Sequence, residues 1–259
     1  MNLKRIVFYF LQGNRKMISY FKDHEHLEVI MSNLKLKSLR LAHQRIYFED
    51  GTLWGVEFLC REERNGGIFG PQFLMRHVNS EEEKLAFDKE VIIQAFDKVE
   101  RDFSNAQDIF YTINIHPETI GSQNFSSWLI NEKKRAKINS NNIVLEITES
   151  SNYQDQDLFL FELTELKTAG FKIALDDFGN LYSNYDRYFI TKDLIDIIKI
   201  THDICTDELI LNGFSSTFSE YIKNKALIAE CIENEKIANY FKSFGINLHQ
   251  GYLYHRPQL

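Results

Sequence analysis

Short apolar runs alternate with longer charged stretches along most of the chain. The runs are RIYFE (45–49), LWGVEFLC (53–60), IFYTINI (109–115), IVLEIT (143–148), KIALDDF (172–178), DIIKI (196–200), ALIAE (226–230) and INLHQGYLY (246–254). Several are apolar throughout rather than alternating, as strands covered on both faces should be. The stretches between them suit helices. Phe87, Val91, Ala95, Phe96 and Val99 recur at helical spacing and predict a helix over 87–103. Residues 155–169 predict a second, ending at Gly170 as a C-cap, and 232–244 a third, ending before Gly245. Residues 1–40 mix Lys, Arg and apolar positions without a clean period and read as an N-terminal helical extension. The aromatics Phe8, Tyr9 and Phe10 in it are candidates to pack on the rest of the fold.

Strand–helix repetition over 259 residues predicts an α/β domain, either a doubly wound sheet or a closed barrel. Neither GxGxxG nor GxxxxGK[ST] occurs, which removes support from the common nucleotide-binding sheets. Only three prolines occur (Pro71, Pro117, Pro257), and nothing in the chain reads as a linker or a low-complexity tract.

A formal net charge of −7 argues against a nucleic-acid polymer as partner, since a phosphate backbone rewards a basic footprint. It leaves a nucleotide substrate open, because metal ions reverse the local field where carboxylates converge. Cys60, Cys205 and Cys231 are widely spaced and odd in number, so free thiols in a reducing compartment are expected. The longest early apolar run, Ile6 to Leu11, has six residues, too short for a membrane span or a signal-peptide core. A cytoplasmic location with no membrane segment is the expectation.

The polar residues inside those runs carry the chemistry. Glu57, Asn114, Glu146, Asp176, Asp177, Lys199, Glu230 and Gln250 each sit within or at the downstream end of an apolar run. A charge in a strand is costly unless it is paired or bound to metal. One such residue is noise, but a set spread over successive strands suggests a shared site, as the C-terminal strand ends of a (β/α) barrel would produce. The set is rich in oxygen and poor in His and Cys, which favours Mg²⁺ or Mn²⁺ over structural zinc. The adjacent Asp176 and Asp177 repel unless a cation lies between them, and they could bridge two ions. Each feature also has a plain structural explanation. Asp176 to Gly179 reads equally as a polar turn, Glu146 and Glu149 as one inward and one solvent-facing carboxylate, and Lys199 as a strand-end ion-pair partner.

Taken in order, the motifs resemble those of the EAL-domain family of cyclic di-GMP phosphodiesterases. Gln44-Arg45-Ile46 is similar to the family's Gln-Pro-Ile, and Gly55-Val56-Glu57-Phe58-Leu59-Cys60-Arg61 to the Gly-x-Glu-Ala-Leu-Leu-Arg segment that names it. Ile113 to Pro117 resembles Val-Asn-Leu-Ser-Pro. Glu146-Ile147-Thr148-Glu149, Asp176-Asp177-Phe178-Gly179, Lys199-Ile200, Ala229-Glu230-Cys231-Ile232-Glu233 and Gln250-Gly251-Tyr252 complete the series. The resemblance implies a modified TIM-type (β/α)₈ barrel over 41–259. It implies two Mg²⁺ or Mn²⁺ ions held by Glu57, Asn114, Glu146, Asp176, Asp177 and Glu230. Lys199 would contact the attacking water, with Glu57 and Glu233 as further catalytic positions, and Glu149 would anchor the loop after Asp177. Gln44, Leu59, Arg61 and Gln250 would bind substrate. The implied reaction is hydrolysis of cyclic di-GMP to linear pGpG, with a homodimer and a regulatory protein partner as further implications. The alternative is a catalytically weak EAL-like regulator that binds cyclic di-GMP or a protein.

The chain departs from the family pattern at several points. Leu181 stands where the loop after Asp177 usually has Gly, Cys231 where the Ala-Glu-Gly-Val-Glu motif has Gly, Thr201 where Lys-Ile-Asp has Asp, and Arg45 where Gln-Pro-Ile has Pro. The segment from Lys199 to Glu230 is also several residues shorter than the family's. None of these departures touches an implied metal ligand.

Overall fold

A computed structural model describes residues 36–103, 109–201 and 224–259. The N-terminal stretch 1–35, with Phe8, Tyr9 and Phe10, and most of the shortened Lys199–Glu230 segment lie outside the described residues.

The apolar runs form a closed barrel. β1 (Leu39–Phe48) and β2 (Leu53–Arg64) are antiparallel, while β2, β4 (Phe110–Ile115), β5 (Ile143–Ile147), β6 (Lys172–Leu175), β7 (Ile197–Thr201), β8 (Ala226–Glu230) and β9 (Leu248–His249) run parallel in that order. The ring closes where β1 pairs antiparallel with β9, Tyr47 opposite His249. The result is a (β/α)₈-type barrel with one inverted strand. β3 (Gly67–Phe69) folds back on the outer end of β2 as a hairpin, across Asn65 and Gly66, both at positive φ. That backbone is the one a two-residue hairpin turn demands.

Helices follow the strands. α1 (Gln72–Met75) and α2 (Glu81–Asp102) precede β4, and α3 (Pro117–Ile120) and α4 (Phe125–Ala136) precede β5. α5 (Gln156–Thr168) precedes β6, α6 (Tyr185–Thr191) precedes β7, and α7 (Glu235–Ser243) precedes β9. α2 begins six residues ahead of the expected Phe87, because Ser80 and Glu83 form a reciprocal capping box. α5 ends one residue short of Ala169 and Gly170 follows at φ 95°, in the capping conformation its position predicted. No helix among the described residues is long and apolar enough to cross a membrane.

The parallel strands β4 to β7 are buried on both faces, which is why their sequences are nearly continuous in apolar character, whereas β1 leaves Arg40, Arg45 and Phe48 exposed. Outward side chains such as Val56, Ile113, Leu145, Ile173 and Ile198 pack against the helices. The lower interior is a separate apolar plug of Ile46, Trp54, Val144, Ala174, Ile197, Ile228 and Leu248. Trp54 belongs to it because the β1–β2 register slips by one residue, from Ile46 opposite Gly55 to Tyr47 opposite Leu53. The bulge leaves Trp54 unpaired and stacked on Phe110 at 4.6 Å. Above this plug the inward positions turn polar.

Gly55 sets the spacing of β2 and β4. A Cβ there would lie 2.5 Å from the Phe110 carbonyl oxygen, a backbone atom that cannot swing away. Gly55→Ala is expected to cost about 1–3 kcal/mol, in the range of core overpacking. Urea unfolding should show a lower midpoint at unchanged slope, and an unaltered midpoint would refute the close approach.

Candidate active site at the barrel mouth

The inward polar positions converge on one ammonium group. Lys199, third residue of β7, is almost fully buried. Its Nζ lies 2.8 Å from Glu146 Oε2 on β5 and 2.8 Å from Glu230 Oε1 at the end of β8. It is 3.3 Å from Glu57 Oε2 on β2 and 3.3 Å from Asp176 Oδ1 just past β6. Strand alternation does this: Glu57, Glu146, Lys199 and Glu230 are inward positions of β2, β5, β7 and β8, and Asp176 follows β6 directly.

Neutral amides complete the ring. Asn114 of β4 donates to Glu57 Oε1 at 2.7 Å, and Gln250 after β9 donates to Glu57 Oε2 at 2.5 Å and to Gln44 Oε1 at 3.3 Å. Gln44 on β1 donates in turn to the His255 carbonyl at 2.9 Å. One hydrogen-bonded network thus spans every barrel strand that carries a predicted site residue.

The electrostatics are unbalanced. Among the described residues, Glu57, Glu146, Asp176 and Glu230 pair with one ammonium, and Asp177 adds a fifth carboxyl beside Asp176 and Glu230. Burial, together with the charges of Glu57 and Asp176, pushes the Glu146 carboxyl up to about 8 even against the pull of Lys199. Burial with Asp176 and Glu149 nearby pushes Asp177 up to about 7. Burial likewise raises Asp176 and Glu230. Burial also works against ionising Glu57, yet Lys199, Gln250 and Asn114 outweigh it and hold that carboxyl below its ordinary range. Lys199 stays firmly cationic, since the surrounding carboxylates overcome its own desolvation.

This donor set fits divalent cations. Oxygens of Asp176, Asp177 and Glu230 lie within 4.8 Å of one another, and Asp176 and Glu230 keep some exposure toward the mouth. Glu146 Oε1 and the Thr201 hydroxyl are buried with no hydrogen-bond partner among the described residues. Hard oxygen donors of this kind suit Mg²⁺, Mn²⁺ or Ca²⁺.

The loop after β6 presents Asp177 through strained backbone. Asp177 (φ 46°) and Leu181 (φ 42°) are both left-handed, as is Cys231 (φ 55°) after β8. The two chain departures from Gly, Leu181 and Cys231, therefore keep a glycine-like backbone. Tyr182 N–H donates to the Glu149 carbonyl at 3.1 Å, a contact of the Glu149 backbone rather than of its carboxylate. At Arg45 the departure from Pro restores a donor, whose N–H meets His255 Nδ1 at 3.3 Å.

Beside the cluster lies a cleft of about 290 Å³ lined by Gln44, Leu59, Cys231, Glu233, Gln250 and Tyr252. Leu59 and Glu233 thus join the mouth, Glu233 on its exposed rim. Arg61 is half-buried, and its guanidinium donates to the Cys60 carbonyl at 2.8 Å.

Sequence reasoning missed the groups that brace the mouth from behind. Asp88 of α2 accepts from both the ring Nδ1 and the backbone N–H of His116, each at 2.9 Å. Glu162 of α5 accepts from Asn124 and Ser126 N–H at 2.8 Å each, capping α4. Arg187 of α6 donates to the Thr148 carbonyl at 2.8 Å and also to the Ser151 carbonyl. A buried charge inside a helical pattern was the available signal.

The EAL domain family model matches residues 28–257. The chain belongs to the EAL domain family. It is 28% identical over 239 residues to the probable cyclic di-GMP phosphodiesterase PdeA of Escherichia coli strain K12, an alignment covering 90% of this chain and 32% of that protein. Among solved structures, the PaMucR phosphodiesterase in its c-di-GMP complex superposes with a TM-score of 0.75 at 23% identity, covering 90% of this chain and 96% of that one. The Klebsiella pneumoniae BlrP1 manganese/cy-diGMP complex gives 0.72 at 24% identity, covering 87% and 57%. The chain spans about a third or less of the length of the curated relatives heading the comparison.

Three variants test the EAL site's physics. Lys199→Met leaves buried carboxylates uncompensated and should cost about 3–5 kcal/mol in chelator-treated protein, read by urea unfolding. Near-wild-type stability would mean that the carboxylates do not depend on that ammonium. Leu181→Gly should change stability by less than about 1 kcal/mol. Relief of a left-handed residue, about 1–2 kcal/mol, nearly cancels the added chain entropy of glycine, about 1 kcal/mol. Leu181→Val should be clearly destabilising, and equal stability of the two variants would contradict the assigned backbone.

Proposed function

We propose that this chain hydrolyses cyclic di-GMP to linear pGpG with two divalent cations, Mg²⁺ or Mn²⁺. The observation that carries this reading is the set of carboxylates around Lys199 at one barrel mouth, opening on the adjoining cleft. Membership of the EAL family and the nucleotide-bound neighbours support it.

Bound at this mouth, the cations supply Lewis acidity that makes water a usable nucleophile near neutral pH and offsets charge on the phosphoryl oxygens. Glu57, Asn114, Glu146 and Asp176 would hold one ion, and Asp176, Asp177 and Glu230 the other. Lys199 cannot accept a proton while cationic, so its role is to orient the attacking water and to share the negative charge. Gln44, Leu59, Arg61 and Gln250 grip the substrate, Glu149 fixes the loop that carries Asp177, and Glu233 supports the rim. Water adds across one P–O bond: hydroxyl goes to phosphorus and the proton to the departing sugar oxygen.

Purified protein should convert cyclic di-GMP to pGpG in Mg²⁺ or Mn²⁺ and stop on chelation, as read by nucleotide chromatography. Glu57→Ala should lower turnover by at least roughly 100-fold, the upper end of what losing even a supporting metal contact costs. Tight nucleotide binding without product would assign the chain to the regulator class instead.

A further inference from the structure

The inversion of β1 decides where residues 1–35 meet the barrel. An inverted strand starts at the mouth and runs to the floor, so Leu39 lies opposite Glu62, five residues beyond Glu57 on β2. The chain reaches Leu39 through a single 3-10 turn, Leu36–Ser38, with Leu36 buried in the core. Residues 1–35 are thus delivered at a fixed point beside the mouth-side end of β2.

The corner at that point is unfinished in two ways. Glu62 is only 8% exposed, and its Oε2 is buried with no hydrogen-bond partner among the described residues. A buried carboxylate oxygen left unpaired is costly. The neighbouring arginines engage other groups: Arg40 pairs with Glu63, Arg61 donates to the Cys60 carbonyl, and Arg64 sits over the Phe69 ring. Phe69 of β3 is directly opposite Glu62 and shares its face, yet it is 43% exposed, as is Ile68. β3 also ends the sheet, pairing with β2 alone among the described residues. An edge strand bearing exposed apolar side chains is one that natural proteins cover.

Residues 1–35 have the chemistry to cover it. They hold six basic residues against three acidic ones, whereas residues 36–259 carry a net charge of −10. From Lys4 to Lys22 there are five basic residues and no acidic one, interleaved with aromatics such as Phe8, Tyr9 and Phe10. The field of the acidic barrel draws such a segment back, and the covalent tether keeps its local concentration high. An anionic lipid surface would also attract these cations, but it would leave Glu62 unpaired and the β3 edge open.

We infer that residues 1–35 dock on this corner, with a basic side chain paired to Glu62 and aromatic side chains over Ile68, Phe69 and the β3 edge. The docking surface is independent of the phosphodiesterase reading, and either can fail without the other.

The test uses the full chain with a photo-crosslinking benzoylphenylalanine at Phe69, followed by peptide mapping. Crosslinks should fall within residues 1–35 of the same molecule. The same probe at Phe161, exposed on α5, should give none. Glu62→Gln keeps the shape and removes the charge. It should lower the Phe69 crosslink severalfold and speed tryptic cleavage between Lys4 and Lys22 by a similar factor. The inference is overturned if the Phe69 probe captures only a second copy or no part of residues 1–35, or if the Phe161 probe captures that segment equally. Unchanged crosslinking and cleavage in Glu62→Gln also overturn it. So does loss of the crosslink when the protein floats with phosphatidylglycerol vesicles, which would assign the segment to a lipid surface.

Discussion

The whole arrangement depends on burying one ammonium among four carboxylates inside a barrel. Desolvating any of these groups alone costs several kcal/mol, so none could occupy its strand position without the others. Lys199 makes the interior positions of β2, β5 and β8 habitable for Glu57, Glu146 and Glu230, and those residues make β7 habitable for Lys199. The apolar plug below, from Ile46 and Trp54 to Leu248, excludes water from one side and keeps the cluster at the mouth. What remains is an excess of carboxyl groups over positive charge. The raised Glu146, Asp176, Asp177 and Glu230 record that excess, and added cations would remove it.

Precision at the mouth comes from elements outside it. Loops after parallel strands have no ladder to hold them, and those after β4 and β5 are each fastened to a helix by a buried charge. Asp88 fastens His116 after β4, Arg187 fastens Thr148 and Ser151 after β5, and the Glu149 carbonyl in that second loop receives Tyr182 from the third. The chain of supports runs from α2 to α6 around the rim. It lets Asp177 and Leu181 persist in left-handed backbone, which costs about 1–2 kcal/mol per residue and survives only where surrounding contacts over-determine it.

Much of this was legible in the sequence, for identifiable reasons. Strands buried on both faces leave continuous apolar runs, and a charge inside such a run stands out, so Glu57, Glu146, Lys199 and Glu230 were visible as a group. What stayed hidden was long-range or local in other ways. The inversion of β1 carries no signature in its sequence, because strand direction does not change which side chains share a face. α6 has only seven residues, too few to show a helical period, whereas α4 is as amphipathic as α2 and its spacing was there to be read. The β2–β3 hairpin could have been read from Asn65-Gly66, a pair suited to positive φ. The pairing of Gln250 with Glu57, 193 residues apart, exists only once the barrel closes.

That last contact has a consequence for how binding and chemistry relate. Glu57 accepts from Asn114 and Lys199 on the cluster side and from Gln250 on the cleft side, and Gln250 reaches Gln44, whose amide is held by the His255 carbonyl. The strand end that bears Gln250 also bears Gly251 and Tyr252, and it is laced to Ile232 directly after the Glu230–Cys231 turn. A ligand that loads this wall therefore presses on the same short backbone segment that orients Gln250 against Glu57. The cleft wall and the carboxylate geometry share atoms rather than merely adjoining, so an alteration to one should register in the other.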